Sequence, residues 1–516
     1  MQFVVGQWLW LFINGFCYLI ILTCRNKKFS MKCETIFGCK QFINIKFYFM
    51  TSHQSGCKSY NRNILLLMLL ITFFIFGCKK ETTNSVNEEI ATSSRFDNNG
   101  EGRGNVSPEM LLRWNDAATY VVVRTLQLQP APRIPPFRES HYYAMVNIAV
   151  HDALNNIIPK YSTYALNARD KDADPDAAVA KAAHDVISFF FGKLNPPANN
   201  TPQVIQDYVH DLLTQSLNSI PDGDAKTKGI TLGAAAAQAI IQNRTNDGSA
   251  SAQFAITQGI LAGEYRSAPP FAISGFYDSP GWGDLKTFGI QNSTQFEVPA
   301  PYPLNSAEYT ADYNEVKSFG CATCTGIGGR TQDQENIAKF WVESSAFGWN
   351  KVAKAIITEK NLDAWKTARL FALLQMSVAD AYIACLKAKM IHFFWRPHSA
   401  ILNGDSDGNP NTVGDPNWQV LVFPVPPIAD HPSAHAAAGG AAAEVMKHFF
   451  ENDNINFSFQ SSSLPGNARN YGSLSQAARE NSLSRIYVGY HFRKACMDGE
   501  DLGKSVGDWI GTHSLQ

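Results

Sequence analysis

An all-α fold, a helical bundle with long irregular connections, is what the body of this chain predicts. Three observations carry that reading. Apolar residues recur at helical spacing in several long stretches, period-two alternation is scarce, and helix start and stop signals bracket the stretches. In chain order the periodic stretches are AMVNIAVHDALNNI (144–157), DAAVAKAAHDVISFFFGKL (176–194), TPQVIQDYVHDLLTQSL (201–217) and the Ala-rich GITLGAAAAQAIIQNRTNDG (229–248). Thr201 followed by Pro202 is a sound helix start, because a capping hydroxyl precedes a residue whose missing N–H would go unused there. Residues 263–310 are rich in Pro, Gly and aromatics without a helical period and read as a long irregular segment. Helices resume over 330–357 and 361–395. The body therefore divides into an N-terminal helical part, 107–310, and a C-terminal one, 311–516, with no solenoid repeat.

The bulk numbers bound the function. Lys+Arg is 44 and Asp+Glu is 45, for a formal charge of −1, so no global electrostatic case for a nucleic-acid partner exists. Charged residues are 17% and aromatics 12%, which suits a packed globular protein with a low-charge surface.

The first 78 residues read as a leader. Residues 1–23 carry no charge and are long enough to span a bilayer. A second apolar run, NILLLMLLITFFIFGCKK (63–80), has a core of about 14 residues, the length of a signal-peptide apolar region. It ends Gly77-Cys78, which resembles a bacterial lipobox, and in such a signal Cys78 would be lipidated and become the mature N-terminus. Met50 begins a leader of the right design, with Lys58 and Arg62 ahead of the apolar run, so residues 1–49 are expected to be an over-extended start. Residues 79–106 are polar and read as a tether. The expectation is an exported protein, lipid-anchored to a bacterial membrane and facing the periplasm or the surface. The alternative is a cytoplasmic or inner-membrane protein anchored by one or two helices. Cysteine usage agrees with export: beyond Cys78 the chain keeps only Cys321, Cys324, Cys385 and Cys496. Cys321-Ala-Thr-Cys324 is open to three readings, a redox pair, half a zinc site or a local disulfide. No second pair with zinc spacing exists, and the local disulfide is preferred.

Three short segments of the last 130 residues place polar groups in apolar surroundings. In KMIHFFWRP (389–397), Lys389 and Arg396 lie two helical turns apart, on one face, and Pro397 is expected to close the helix. The blander reading is two solvated charges at a helix end. In DHPSAHAAAGGAAAEVM (430–446), Ser433 is a natural N-cap for an Ala/Gly-rich helix whose small residues permit very close packing. Such an N-terminus presents N–H groups to an anion, with His435 in the first turn. His431 and His435 could be read as an i, i+4 metal pair, but Pro432 argues that His431 lies outside the helix. In SRIYVGYHFRKACMDGE (484–500), Arg485 and His491 do not share a helical face, and Gly489 supplies a bend or a close backbone approach that would bring both to one point. Three cations converging would repel unless a highly charged oxyanion sat among them, and phosphate or a phosphate-shaped ion fits.

These segments, K-x6-R-P, then P-S-(G/A)-H, then S-R-x3-G-x-H in order, resemble the signature of the vanadium-dependent haloperoxidase and type 2 phosphatidic acid phosphatase superfamily. MVNIAVHDALNNI, QNRTNDG, RTQDQENIAKFW and the stretch leading into WRP resemble its bacterial haloperoxidase-like branch, so the resemblance covers most of 107–516. It implies a helical bundle of the haloperoxidase/acid phosphatase type. It also implies a vanadate cofactor on His491, or phosphate in the same place. Lys389, Arg396 and Arg485 would neutralise its oxygens, Ser433 and the Ala434 N–H would assist, and His435 would be the acid–base partner. Hydrogen peroxide and halide would be the substrates, with Lys389 polarising the bound peroxide. In the phosphatase branch His491 would attack phosphorus and His435 would protonate the leaving alcohol. Two departures stand out. Ala434 replaces a usual glycine, and Ala495 stands where family members often carry the Asp that orients the last histidine; Asp498 is a possible substitute. Loss of that carboxylate would harm a nucleophile more than a metal ligand, which tilts the reading toward haloperoxidase. The alternatives are an exported acid phosphatase and a non-catalytic phosphate-binding lipoprotein. Halide preference and oligomeric state are not legible.

Overall fold

The computed structural model describes residues 6–13, 16–25, 28–38, 106–127, 134–192 and 201–516. Two units make up the chain, 1–93 and 94–516. In the first, Gly6–Ile13 (β1), Phe16–Arg25 (β2) and Lys28–Gly38 (β3) form an antiparallel sheet in the order β1-β2-β3. The uncharged stretch of sufficient length to span a bilayer is thus largely two paired strands, as its aromatic and β-branched content favours. Cys78 and nearly all of the 79–106 tether lie outside the described residues.

The second unit bears out the all-α expectation, with thirteen α-helices and one small hairpin among the described residues. The first five helices are Glu109–Leu126 (α1), Pro136–Ile157 (α2), Pro175–Gly192 (α3), Thr201–Asn218 (α4) and Asp224–Arg244 (α5). Residues 245–306 then run without an α-helix, in line with the irregular segment expected there. Ala307–Phe319 (α6), Gln332–Phe340 (α7) and Ser345–Lys360 (α8) follow. The stretch 330–357 was expected as one run and breaks at Trp341–Ser344 between α7 and α8. Thr331 opens α7 with a reciprocal capping box, its side chain bonding the Gln334 N–H while Gln334 bonds back.

The longest helix, Ala364–His392 (α9), is apolar enough to cross a membrane by length and composition, but 94% of its apolar window is buried inside the protein. It is the central rod, packing on α2 and on Ala434–Phe450 (α11) and Arg493–His513 (α13). Pro397–Leu402 (α10) and Leu474–Tyr487 (α12) complete the helices, and Phe457–Gln460 (β4) pairs antiparallel with Ala468–Tyr471 (β5).

The small residues of α11 do what their size permits. At Gly503 on α13 a Cβ would lie 2.0 Å from the Ala437 carbonyl oxygen, and at Gly440 on α11 one would lie 2.4 Å from that of Glu500. Only hydrogen fits at these crossings, so the backbones of α11 and α13 touch. That contact fixes the N-terminus of α11 against the start of α13, where His491 sits.

Candidate oxyanion site

Lys389 lies in the last turn of α9, which ends at His392 because Phe393 turns left-handed at φ +43°. The expectation that Arg396 shares this helix and that Pro397 closes it is corrected. Arg396 is the N-cap of α10, and Pro397 opens that helix at its first position, where a fixed φ and a missing N–H cost nothing. The two cations still serve one wall. Lys389 Nζ donates to the carbonyls of Ala429 (2.6 Å) and Asp430 (2.8 Å), and Arg396 Nε donates to Ile428 (2.8 Å).

Ser433 caps α11, its hydroxyl accepting from the Ala436 N–H at 3.4 Å. Ala434 is the first residue of that helix and has no positive φ, so replacing glycine there adds no backbone strain. The N–H groups of Ala434 and His435 belong to the first turn and have no intrahelical acceptor. His431 precedes the helix, as Pro432 implied. It faces the Pro299 carbonyl (2.8 Å), Asp498 (3.4 Å) and the His392 ring, so it forms no pair with His435.

Arg485 closes α12. Its Nε donates to Ser484 Oγ (3.0 Å), its Nη2 to the Trp341 carbonyl (2.8 Å), and its guanidinium stands over the Tyr490 ring. Gly489 then makes both moves its type allows. It turns at φ +85°, and a Cβ there would lie 2.5 Å from the Gly320 carbonyl oxygen. The turn brings His491 back so that its Nε2 is 3.0 Å from Arg396 Nη1, which also donates to the Tyr490 carbonyl (3.0 Å).

The three segments thus converge. Lys389 is 0% exposed, Arg396 2%, Arg485 1% and His491 4%, which rules out solvated charges at a helix end. Burial dominates their protonation. It brings the Lys389 ammonium down to about 7 and Arg485 to about 10, and lowers Arg396. Burial first, then the surrounding cations, pushes His435 and His491 well below the usual histidine range, so both rings are neutral. His435 is half-buried, its Nε2 3.3 Å from the Glu343 carbonyl. A carbonyl only accepts, so Nε2 holds the proton and Nδ1 carries the lone pair.

Asp430 is a residue that sequence reasoning missed. It is 1% exposed, and its Oδ1 is 2.9 Å from His491 Nδ1. Asp498, the substitute considered for the missing acid at 495, instead meets His431 and Lys494. The available signal was an acid directly before His431-Pro432-Ser433, at the end of the apolar, Pro-rich run 420–429. Burial raises the Asp430 carboxyl to about 7 despite Arg396 and Lys389 beside it, so the buried charge around His491 is predominantly positive, an excess that an oxyanion balances, and the donor set of guanidinium, ammonium, hydroxyl and helix N–H suits a tetrahedral or trigonal oxyanion. Vanadate and phosphate both fit. Cys321 and Cys324 form a disulfide beside Gly320.

Residues 369–516 match the family described as VCPO second helical-bundle domain. Vanadium chloroperoxidase of Curvularia inaequalis is 24% identical over 491 residues, covering 76% of this chain and 80% of that protein. A bacterial vanadium-dependent iodoperoxidase structure superposes with a TM-score of 0.64 at 22% identity, over 80% of this chain and 98% of that one. A bacterial vanadium-dependent chloroperoxidase, in its apo form, superposes with a TM-score of 0.57 at 14% identity, over 74% and 94%. In its all-α fold and in the match of its C-terminal part to the second helical bundle, the chain is similar to vanadium-dependent haloperoxidases.

Proposed function

We propose that the protein is a vanadate-dependent haloperoxidase that uses hydrogen peroxide to oxidise halide to hypohalous acid. The observation that carries this reading is the burial of Lys389, Arg396 and Arg485 around His491 Nε2, together with relatives that are themselves named vanadium haloperoxidases. Vanadate, when bound, supplies a Lewis-acidic centre that activates peroxide without changing its own oxidation state. His491 would hold it through Nε2. Arg396, Arg485 and Lys389 would neutralise its oxygens, and Lys389 would also be the donor nearest a substrate oxygen held there. Ser433 Oγ and the Ala434 N–H add donors from the α11 terminus. His435, neutral and open at Nδ1, takes up and returns the proton that peroxide loses.

A second reading is an acid phosphatase with His491 as nucleophile, and Asp430 favours it. The missing acid at 495 argued against a histidine nucleophile, but Asp430 lies at the ring nitrogen that such an acid serves. Assays on the purified protein separate the two. After loading with vanadate, peroxide-dependent iodination or bromination of a dye is expected. Phosphomonoester hydrolysis before loading, with no halide oxidation after it, would establish the phosphatase instead. Tight phosphate binding without turnover on either substrate would leave a binding protein. We extend the proposal to export through a lipidated Cys78, which the disulfide of the body supports. Mass spectrometry of the mature N-terminus tests it; an unmodified chain starting at Met1 would overturn it.

A further inference from the structure

We propose that the Cys321–Cys324 disulfide is a redox switch for oxyanion affinity: closed, it props the turn that carries His491, and reduced, it lets that turn slacken. The inference rests on the oxyanion reading of the site but not on which reaction it performs. The pair sits at a three-way backbone junction. α6 ends at Gly320, whose carbonyl shares the Leu421 N–H with that of Val488 (3.0 and 3.2 Å). A Cβ at Gly320 would lie 2.5 Å from Gly489 Cα, so the two backbones touch. One residue on, Cys321 pairs with Val420 as an antiparallel bridge, and the Ala322 N–H donates to the Gln419 carbonyl (2.8 Å). Arg485 and His491 flank the Gly489 side of this junction, so both site residues hang on it.

The bond acts locally. It closes a ring of only four residues, and so short a loop constrains the unfolded chain least. What it fixes is the folded turn from Gly320 to Cys324, whose Cys321 carbonyl also accepts from Nη1 of the buried Arg330. Ala322, Thr323 and residues 325–328 are exposed, so a thiol reaches the pair from solvent, whereas Cys385 and Cys496 are buried. Oxidation breaks the two S–H bonds and forms one S–S bond; an incoming disulfide takes the two electrons and two protons and leaves as two thiols. Excess thiol runs the exchange backward. On the export reading, the site gains its full affinity only after the chain leaves a reducing compartment.

Calorimetry of inorganic phosphate binding to the full chain, oxidised and after reduction with excess dithiothreitol, tests the switch. Reduction should lower phosphate affinity at least about fivefold, and re-oxidation should restore it. Hydrogen exchange at 486–491 should quicken on reduction, a readout that needs no ligand. The double variant Cys321→Ser, Cys324→Ser should bind at the reduced value with and without reductant, which separates this pair from every other cysteine. Affinities within about twofold in the two redox states, or a variant that binds as the oxidised protein does, would overturn the proposal. A reductant effect that persists in the variant would do the same. Should the variant fail to fold, the reversible titration and the exchange at 486–491 in the wild type still decide. Absence of phosphate binding by the oxidised protein would refute the oxyanion reading instead, and exchange at 486–491 that ignores the reductant would then overturn the switch.

Discussion

Lys389 should make the oxyanion-free protein more stable as pH rises above neutrality, opposite to the usual effect of alkali. The perturbation is Lys389→Met, which keeps the stem and removes the charge. In the folded protein the ammonium is 0% exposed and lowered by burial from 10.5 to about 7. Between those two values the unfolded chain binds more protons than the folded one, so unfolding becomes harder with increasing pH. Each pH unit in that window is worth up to about 1.4 kcal/mol. From pH 7 to 9, wild-type stability relative to Lys389→Met should rise by roughly 2 kcal/mol, while from pH 5 to 7 it should barely change. Taking the difference cancels groups that titrate alike in both proteins. Urea unfolding at a series of pH values, after dialysis to remove bound oxyanion, reads it directly. Saturating phosphate should flatten the rise, because an anion beside the ammonium restores its proton. A flat or falling difference between pH 7 and 9 would refute the claim that Lys389 is a buried, desolvated cation.

Other predictions follow from single contacts. Gly503→Ala drives a Cβ to 2.0 Å from the Ala437 carbonyl oxygen, so thermal or urea unfolding should register a loss of about 1–3 kcal/mol. Ser433→Ala removes the α11 cap and should cost roughly 1 kcal/mol of stability while weakening phosphate binding in calorimetry. Arg485→Lys keeps the charge but loses the paired bonds to Ser484 Oγ and the Trp341 carbonyl; phosphate affinity should drop roughly tenfold or more at unchanged net charge.

The helices and the principal site residues were legible because their signals are local. Apolar residues at helical spacing gave α2–α5 and α9, Ser433 marked its own cap, and Gly489 announced both a turn and a close approach. What stayed hidden depends on contacts far apart in the chain. Lys389 and Arg396 are two turns apart on paper, yet Phe393 ends the helix between them, and only tertiary packing tolerates a left-handed aromatic residue there. The carboxylate behind His491 was sought along the same helix, at 495 or 498. It arrives instead from 61 residues upstream, where the one local signal is its place directly before His431-Pro432-Ser433, and no spacing ties that place to His491. That displacement removes the sequence-based argument for choosing the haloperoxidase over the phosphatase, and the choice passes to the assay.

The central claim is that three separate segments make one oxyanion site ending on His491. It is tested most directly by a crystal structure of the vanadate-loaded protein beside a vanadate titration of His491→Ala. The account predicts one equivalent of vanadate on His491 Nε2, with Lys389, Arg396 and Arg485 on its oxygens, and no saturable binding in the variant. Vanadate seated elsewhere, or bound undiminished by His491→Ala, would contradict it.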